Sequence, residues 1–264
     1  MDMTFDQYIL NPMGKNNAVL SSIARENIRK TYMVKFDNIL LREHGRIEYN
    51  LYKDQKSNTY WAHIKVPSEV VKDFYYDVVL KFFANEKVGL GGEDLFKYQV
   101  KFYSNDPSFV YTYAHVFRNN NLFINELSSK MSKEALRKAP KEKNPTNDVG
   151  YVKALYFAYL IMQNRKLNKK SKFENESKPL DLKTLIYSIE DADEKIRKRQ
   201  EEGAKVSKRK KIVVDKSTAR NLIGNIKHDV NMDRLQVTTT KAVTKIKRST
   251  NINKSKTVGS VKRK

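Results

Sequence analysis

FKYQVKFY, residues 96–103, is the cleanest alternation in the chain: Phe96, Tyr98, Val100 and Phe102 fall on one face, Lys97, Gln99 and Lys101 on the other. Successive side chains of a strand point to opposite faces, so this pattern specifies a strand with one buried side. Immediately upstream, DVVLKFF (77–83) is apolar on both faces and reads as a buried strand. Further back, YWAHIKV (60–66) aligns Tyr60, Ala62, Ile64 and Val66, and RIEYNLY (46–52) aligns Ile47, Tyr49 and Leu51. The polar run KDQKSNT (53–59) joins these two as a hairpin with a loop longer than two residues. Four strands, the first two without a long crossover, predict an α+β protein with a mostly antiparallel four-stranded sheet packed with several helices. Between the second and third strands, Pro67-Ser68-Glu69 starts a short helical turn over EVVKDFYY (69–76).

Helices are expected on both sides of this block. Thr4 with Gln7 three residues on is a capping-box pattern for a short helix, which NPMG (11–14) breaks. Residues 22–43 read as a helix with Met33, Phe36, Ile39 and Leu40 on one stripe, ended by His44-Gly45. Asn105-Asp106-Pro107 is the strongest helix start, with Asp as N-cap and Pro at the first helical position. The helix over SFVYTYAHVF (108–117) stops at Asn119-Asn120-Asn121. Two more follow, at 122–139 with a break near Ser132 as an alternative, and at 149–168 with an apolar stripe of Val152, Leu155, Tyr156, Tyr159 and Leu160. The folded core is therefore assigned to 1–168, followed by a polar linker at 169–180 and a partly amphipathic, solvated helix at 181–203.

Composition changes after that point. The chain has 264 residues and a formal net charge of +22. Residues 204–264 hold 18 Lys/Arg against 3 Asp/Glu, a net of +15, and contain no Phe, Tyr or Trp. Such a segment buries too little apolar surface to offset its ordering entropy, so a largely disordered tail is expected, with 212–230 its one candidate short helix. Across the chain Lys outnumbers Arg 38 to 14. Lysine is a point charge suited to phosphate, whereas arginine reads base edges bidentately, so sequence-tolerant binding of a polyanion is favoured. The candidate nucleic-acid-binding residues are Lys208, Arg209, Lys210 and Lys211, then Lys245, Lys247 and Arg248, and finally Lys262, Arg263 and Lys264. A solubilising tail with no ligand is the plain alternative. A membrane-surface role is disfavoured because the tail lacks a bulky apolar face.

Motifs for catalysis are missing. There is no cysteine, hence no disulfide, thiolate nucleophile or cysteine zinc site. His44, His63, His115 and His228 are scattered without metal-ligand spacing, and GLGGED (89–94) does not open a P-loop. Asp54-Gln55-Lys56 has the D-x-K shape of some metal-dependent nucleases but falls in the hairpin turn. Glu190, Asp191, Asp193 and Glu194 lack calcium-loop spacing and read as charge at a helix start. The aromatic run Phe109, Tyr111, Tyr113 and Phe117 reads as core packing rather than a base-stacking platform. No cofactor, metal or catalytic residue is expected. The N-terminus lacks a signal-peptide pattern and no stretch is long and apolar enough to span a bilayer, so a protein that is intracellular, or inside a particle assembled intracellularly, and without a membrane partner is expected.

The segments SEVVKDFYYDVVLKFF (68–83), SNDPSFVYTYAHVF (104–117) and KNPTNDVGYVKALYFAYL (143–160) resemble virion structural proteins of tailed bacteriophages of low-GC hosts. The resemblance covers residues 20–168. It implies a non-enzymatic head, connector or tail component assembled in the host cytoplasm. Other virion proteins would be its partners, a homo-oligomeric ring its possible assembly, and packaged DNA the ligand of its basic tail. The alternatives are a sequence-tolerant nucleic-acid-binding protein acting outside the virion and a metal-dependent nuclease.

Overall fold

The computed structural model describes residues 3–11, 18–43, 46–83, 92–140, 144 and 147–212, with side chains as far as 204. The first of the chain's two units is Met1–Val206.

The first unit is an α+β fold around a mostly antiparallel sheet. Its strands are β1 Tyr49–Asp54, β2 Thr59–Pro67, β3 Tyr75–Phe83, β4 Gln99–Ser104 and β5 Lys178–Pro179, in the order β4-β3-β2-β1-β5. The first four pair antiparallel with neighbours in sequence, as the hairpin reading requires, with Leu51 opposite Ala62, Ala62 opposite Leu80 and Leu80 opposite Phe102. Register partners share a face, so Tyr60, Ala62, Ile64 and Val66 line up with Phe82, Leu80, Val78 and Tyr76 as one apolar surface.

Two helices cover that surface. In α1, Phe5–Leu10, the Thr4 hydroxyl accepts from Gln7 N while the Gln7 side chain accepts from Thr4 N, completing the expected capping box. Phe5 of this helix meets Phe82, Phe96 and Phe102 with ring centroids 5.4–6.0 Å apart. The long α2, Ser22–Arg42, has only Phe36 and Ile39 buried. It leans on the second covering helix, which follows later in the chain, through Tyr32–Phe157 and Phe36–Phe157 ring pairs at 6.1 and 5.6 Å. The expected stop at His44-Gly45 lies outside the described residues.

Several elements differ from the sequence reading. No helix follows Pro67: the Ser68 hydroxyl accepts from Val70 N and Val71 N, a local turn that leads straight into β3. The alternation of 96–103 is strand only from Gln99, because Leu95–Lys97 form a 3-10 turn capped by Asp94. After Asp106, whose carboxylate accepts from Ser108 N at 2.9 Å, the backbone passes through a π-helical turn, Phe109–Tyr113, before α3, Ala114–Asn119. The helix expected at 122–139 is replaced by a bridge from Phe123 to Phe102, a 3-10 turn at Asn125–Lys130 and the short α4, Lys133–Arg137. Leu122 O and Ile124 N bond to Phe102, so the open edge of β4 captures backbone that would otherwise have closed a helix. Then comes α5, Lys153–Asn164, the second covering helix, with eight buried residues.

Residues 169–180 are not a linker. They form α6, Lys170–Glu176, and β5, which adds a fifth, parallel strand beside β1. One fully buried residue, Phe173, anchors the segment edge-on against Tyr60 at 5.7 Å. Glu174 accepts from Lys53 and the Tyr60 hydroxyl at 2.7 and 2.8 Å. The expected single helix at 181–203 is two: α7, Leu182–Ser188, and α8, Ala192–Ile212. The second runs through Gly203 to Ile212, where the sequence had promised only tail, because Lys, Arg, Gln and Glu are good helix formers and one interior Gly costs only about 1 kcal/mol. The expectation of disorder from 213 to 264, and of a short helix at 212–230 beyond its first residue, concerns residues outside the described set.

Candidate nucleic-acid interface

Of the ten basic residues singled out, Lys208, Arg209, Lys210 and Lys211 occupy the last turns of α8. Lys245, Lys247, Arg248, Lys262, Arg263 and Lys264 lie outside the described residues. Cations in the last turns of a helix complement its macrodipole, and acidic Asp193 and Glu194 sit in the first turn where the opposite sign is favoured. The acidic cluster that began as a charge pattern thus has a structural use. Glu190 accepts from Lys195 at 2.6 Å and pairs with Lys198, which also meets Glu194 at 3.1 Å.

The elbow between α7 and α8 is tied to the sheet by a buried polar junction that the sequence did not announce. At its centre is Asp77 of β3, fully buried. Its Oδ1 meets His63 Nε2 at 2.8 Å and Lys65 Nζ at 2.5 Å. Its Oδ2 accepts from Asn105 Nδ2 at 2.7 Å and from the backbone N–H of Glu190 at 3.2 Å. Asn105 Oδ1 accepts in turn from Asp77 N, and Asn105 Nδ2 also reaches Glu190 O. Burial alone would raise the Asp77 carboxyl, but the hydrogen bonds and charges of His63 and Lys65 outweigh it and hold it well below the usual carboxylate range. Every acceptor site is used, which is what makes a buried carboxylate tolerable. Ile189, Ala192 and Ile196 are buried beside this junction in sequence, so the elbow combines an apolar seat with a polar lock.

Ser188, His63 and Asp77 have the residue types of a hydrolytic triad, but their geometry serves packing. Ser188 Oγ donates to Leu185 O at 2.7 Å and stands 3.4 Å from His63 Nδ1, so its proton is already committed. His63 itself is buried. Asp54, the D-x-K candidate, accepts from Lys56 N and the Ser57 hydroxyl, and these bonds, the Ser57 one foremost, hold its carboxyl low. It stabilises the hairpin turn. His115 contacts Leu136 O and Asn119. In the aromatic run, Phe109 and Phe117 are buried as expected while Tyr111 is exposed. Among the described residues no group of three His, Asp or Glu is placed to hold a metal ion. Among the same residues no helix is long and apolar enough to cross a membrane.

A hint of the junction was present in the sequence: His63 and Lys65 stand on the polar side of one alternating strand and Asp77 opens the next. Only the register, which sets His63 against Val79 and Lys65 against Asp77, brings them together. Comparison with known protein families, curated proteins and solved structures finds no match to this chain.

Proposed function

We propose that this chain is a non-enzymatic polyanion-binding protein whose basic C-terminal segment contacts the phosphate backbone of nucleic acid without reading bases. More narrowly, it is a structural or assembly component of a tailed-phage virion in which that segment meets packaged DNA. The observation that carries the reading is the concentration of +15 of the +22 net charge in residues 204–264, Lys-led and free of aromatic rings. Solubility of a small domain asks for a net charge of only about 2–8, which the +15 of this segment exceeds. Phosphate contacts supply affinity and steep salt dependence but no sequence information. The resemblance of residues 20–168 to virion proteins supports the narrower form.

Retention of duplex DNA across a salt series tests the class. Replacing Lys208, Arg209, Lys210 and Lys211 by Gln in the full chain should flatten the log–log salt slope by up to about 3–4, at roughly 0.9 for each phosphate no longer neutralised. An unchanged slope in a variant with all ten named residues replaced overturns the binding assignment. For the narrower form the test is mass spectrometry of purified particles: a fixed copy number supports it, and absence from particles sinks it.

A further inference from the structure

We propose that the outer face of α2 is a self-association surface, on which a second copy of this chain docks its own α2 antiparallel about a twofold axis. An α-helix turns by about 100° per residue, so positions seven or eleven apart fall on nearly one line. Ile23, Val34 and Leu41 lie on such a line and are 75%, 61% and 75% exposed. Phe36 and Ile39, the buried residues that seat α2 on the core, lie on the opposite side. Apolar residues scattered singly over a surface are ordinary, but these three are aligned on the solvent side of one helix. The helix is therefore apolar on two opposite sides, and the fold of a single copy uses only one of them.

Charge commits this face to a second copy. Lys30 and Asp37 flank the apolar line on the same side, two turns and about 10 Å apart, too far to pair within the helix. The positions three and four away from Asp37 are Met33, Val34, Leu40 and Leu41, so no cation of its own helix reaches it. Lys30, 72% exposed, meets Glu26 at only 3.7 Å. When two α2 helices pack antiparallel about a twofold axis, the same flank of each copy meets with its direction reversed. Lys30 of each copy then stands opposite the partner's Asp37, giving two ion pairs with Val34 beside its own counterpart at the centre. A parallel pair would set like charge against like, so charge selects the antiparallel one. The same register brings Asn27 near the partner's Asn38, two amides that can both donate and accept. Such a contact is isologous and closes at two copies. One helix face per copy buries less than the roughly 1,600 Å² of a standard interface, so a micromolar dimer is expected. None of it draws on the basic C-terminal segment or on the binding of nucleic acid.

Sedimentation equilibrium of the full chain, freed of nucleic acid, tests the assignment over about 1–100 μM, where a contact of this size titrates. The parent should pass from monomer to dimer and stop there. Val34→Asp sets two carboxylates together at the centre and should leave the chain monomeric over the same range. Lys30→Glu and Asp37→Lys each oppose like charges and should weaken the dimer by about tenfold or more. An equimolar mixture of these last two should dimerise as the parent does, because each altered charge then meets its opposite. All three positions are exposed, so the variants should keep the parent's far-UV spectrum. The proposal is overturned if the parent stays monomeric throughout or assembles beyond two copies. It is equally overturned if Val34→Asp dimerises as the parent does, or if the mixture is no more dimeric than its two components.

Discussion

Replacing Asp77 by Ala removes the acceptor from four groups at once: His63 Nε2, Lys65 Nζ, Asn105 Nδ2 and the Glu190 N–H. Lys65 is the one that can turn toward water, since 28% of its side chain is exposed against 1% for His63. His63 Nε2 and the Glu190 N–H lose the partner Asp77 gave them, and Asn105 Nδ2 keeps only Glu190 O. Breaking a buried charged network by deleting one partner costs about 3–5 kcal/mol. For a folded unit of this size each kcal/mol moves the melting temperature by roughly 2–4 °C, so a fall of roughly 6–20 °C is expected. Trp61, the single tryptophan and buried in β2, reports on the sheet by fluorescence during urea unfolding. The variant should also differ in acid. A carboxyl held low in the folded state contributes stability that is complete above its unfolded value of about 3.9 and is lost as pH falls through its lower folded value. Wild type should therefore shed this stability below about pH 4, and Asp77→Ala should lack that part of the acid dependence. A loss under about 1 kcal/mol, or an unchanged acid limb, would refute the claim that Asp77 is the anchor of the α7–α8 elbow.

Phe173→Ala should cost about 3–5 kcal/mol by urea midpoint, the price of emptying a buried aromatic site, whereas a solvated linker would show no change. Gly203 has open space where a Cβ would lie, so Gly203→Ala should raise far-UV helicity and strengthen α8 by about 1 kcal/mol; unchanged helicity would mean the helix does not pass through that position. Asp106 is a buried N-cap whose carboxyl is raised by burial. A raised carboxyl favours the fold at low pH and opposes it increasingly as pH climbs through the folded value. Asp106→Asn keeps the acceptor and drops the charge, so at pH 7 it should be at least as stable as wild type, while Asp106→Ala should lose about 0.5–2 kcal/mol. Equal melting temperatures for these two variants would show that the cap contributes nothing to the fold.

The α+β class, the hairpin order of β1 to β4, the capping box at Thr4 and the Asp106 helix start were legible in the sequence because each depends on residues within one element. Period-two alternation and a cap three residues from its partner are local, and local rules need no knowledge of the rest of the chain. The charge of residues 204–264 was legible for the same reason, since net charge is a sum over composition. What failed was decided at a distance. Residues 169–180 are polar enough to read as a linker, and one Phe173 side chain finding Tyr60 more than a hundred positions away turned them into helix and strand. Residues 122–139 have the makings of a helix, but the unpaired edge of β4 offered their backbone a better partner. The junction at Asp77 draws on β2, β3, the end of β4 and the α7–α8 elbow, four segments whose meeting is set by register and packing. A side chain's identity is written in the sequence, but whether its hydrogen bonds are met is a property of the neighbours that folding supplies.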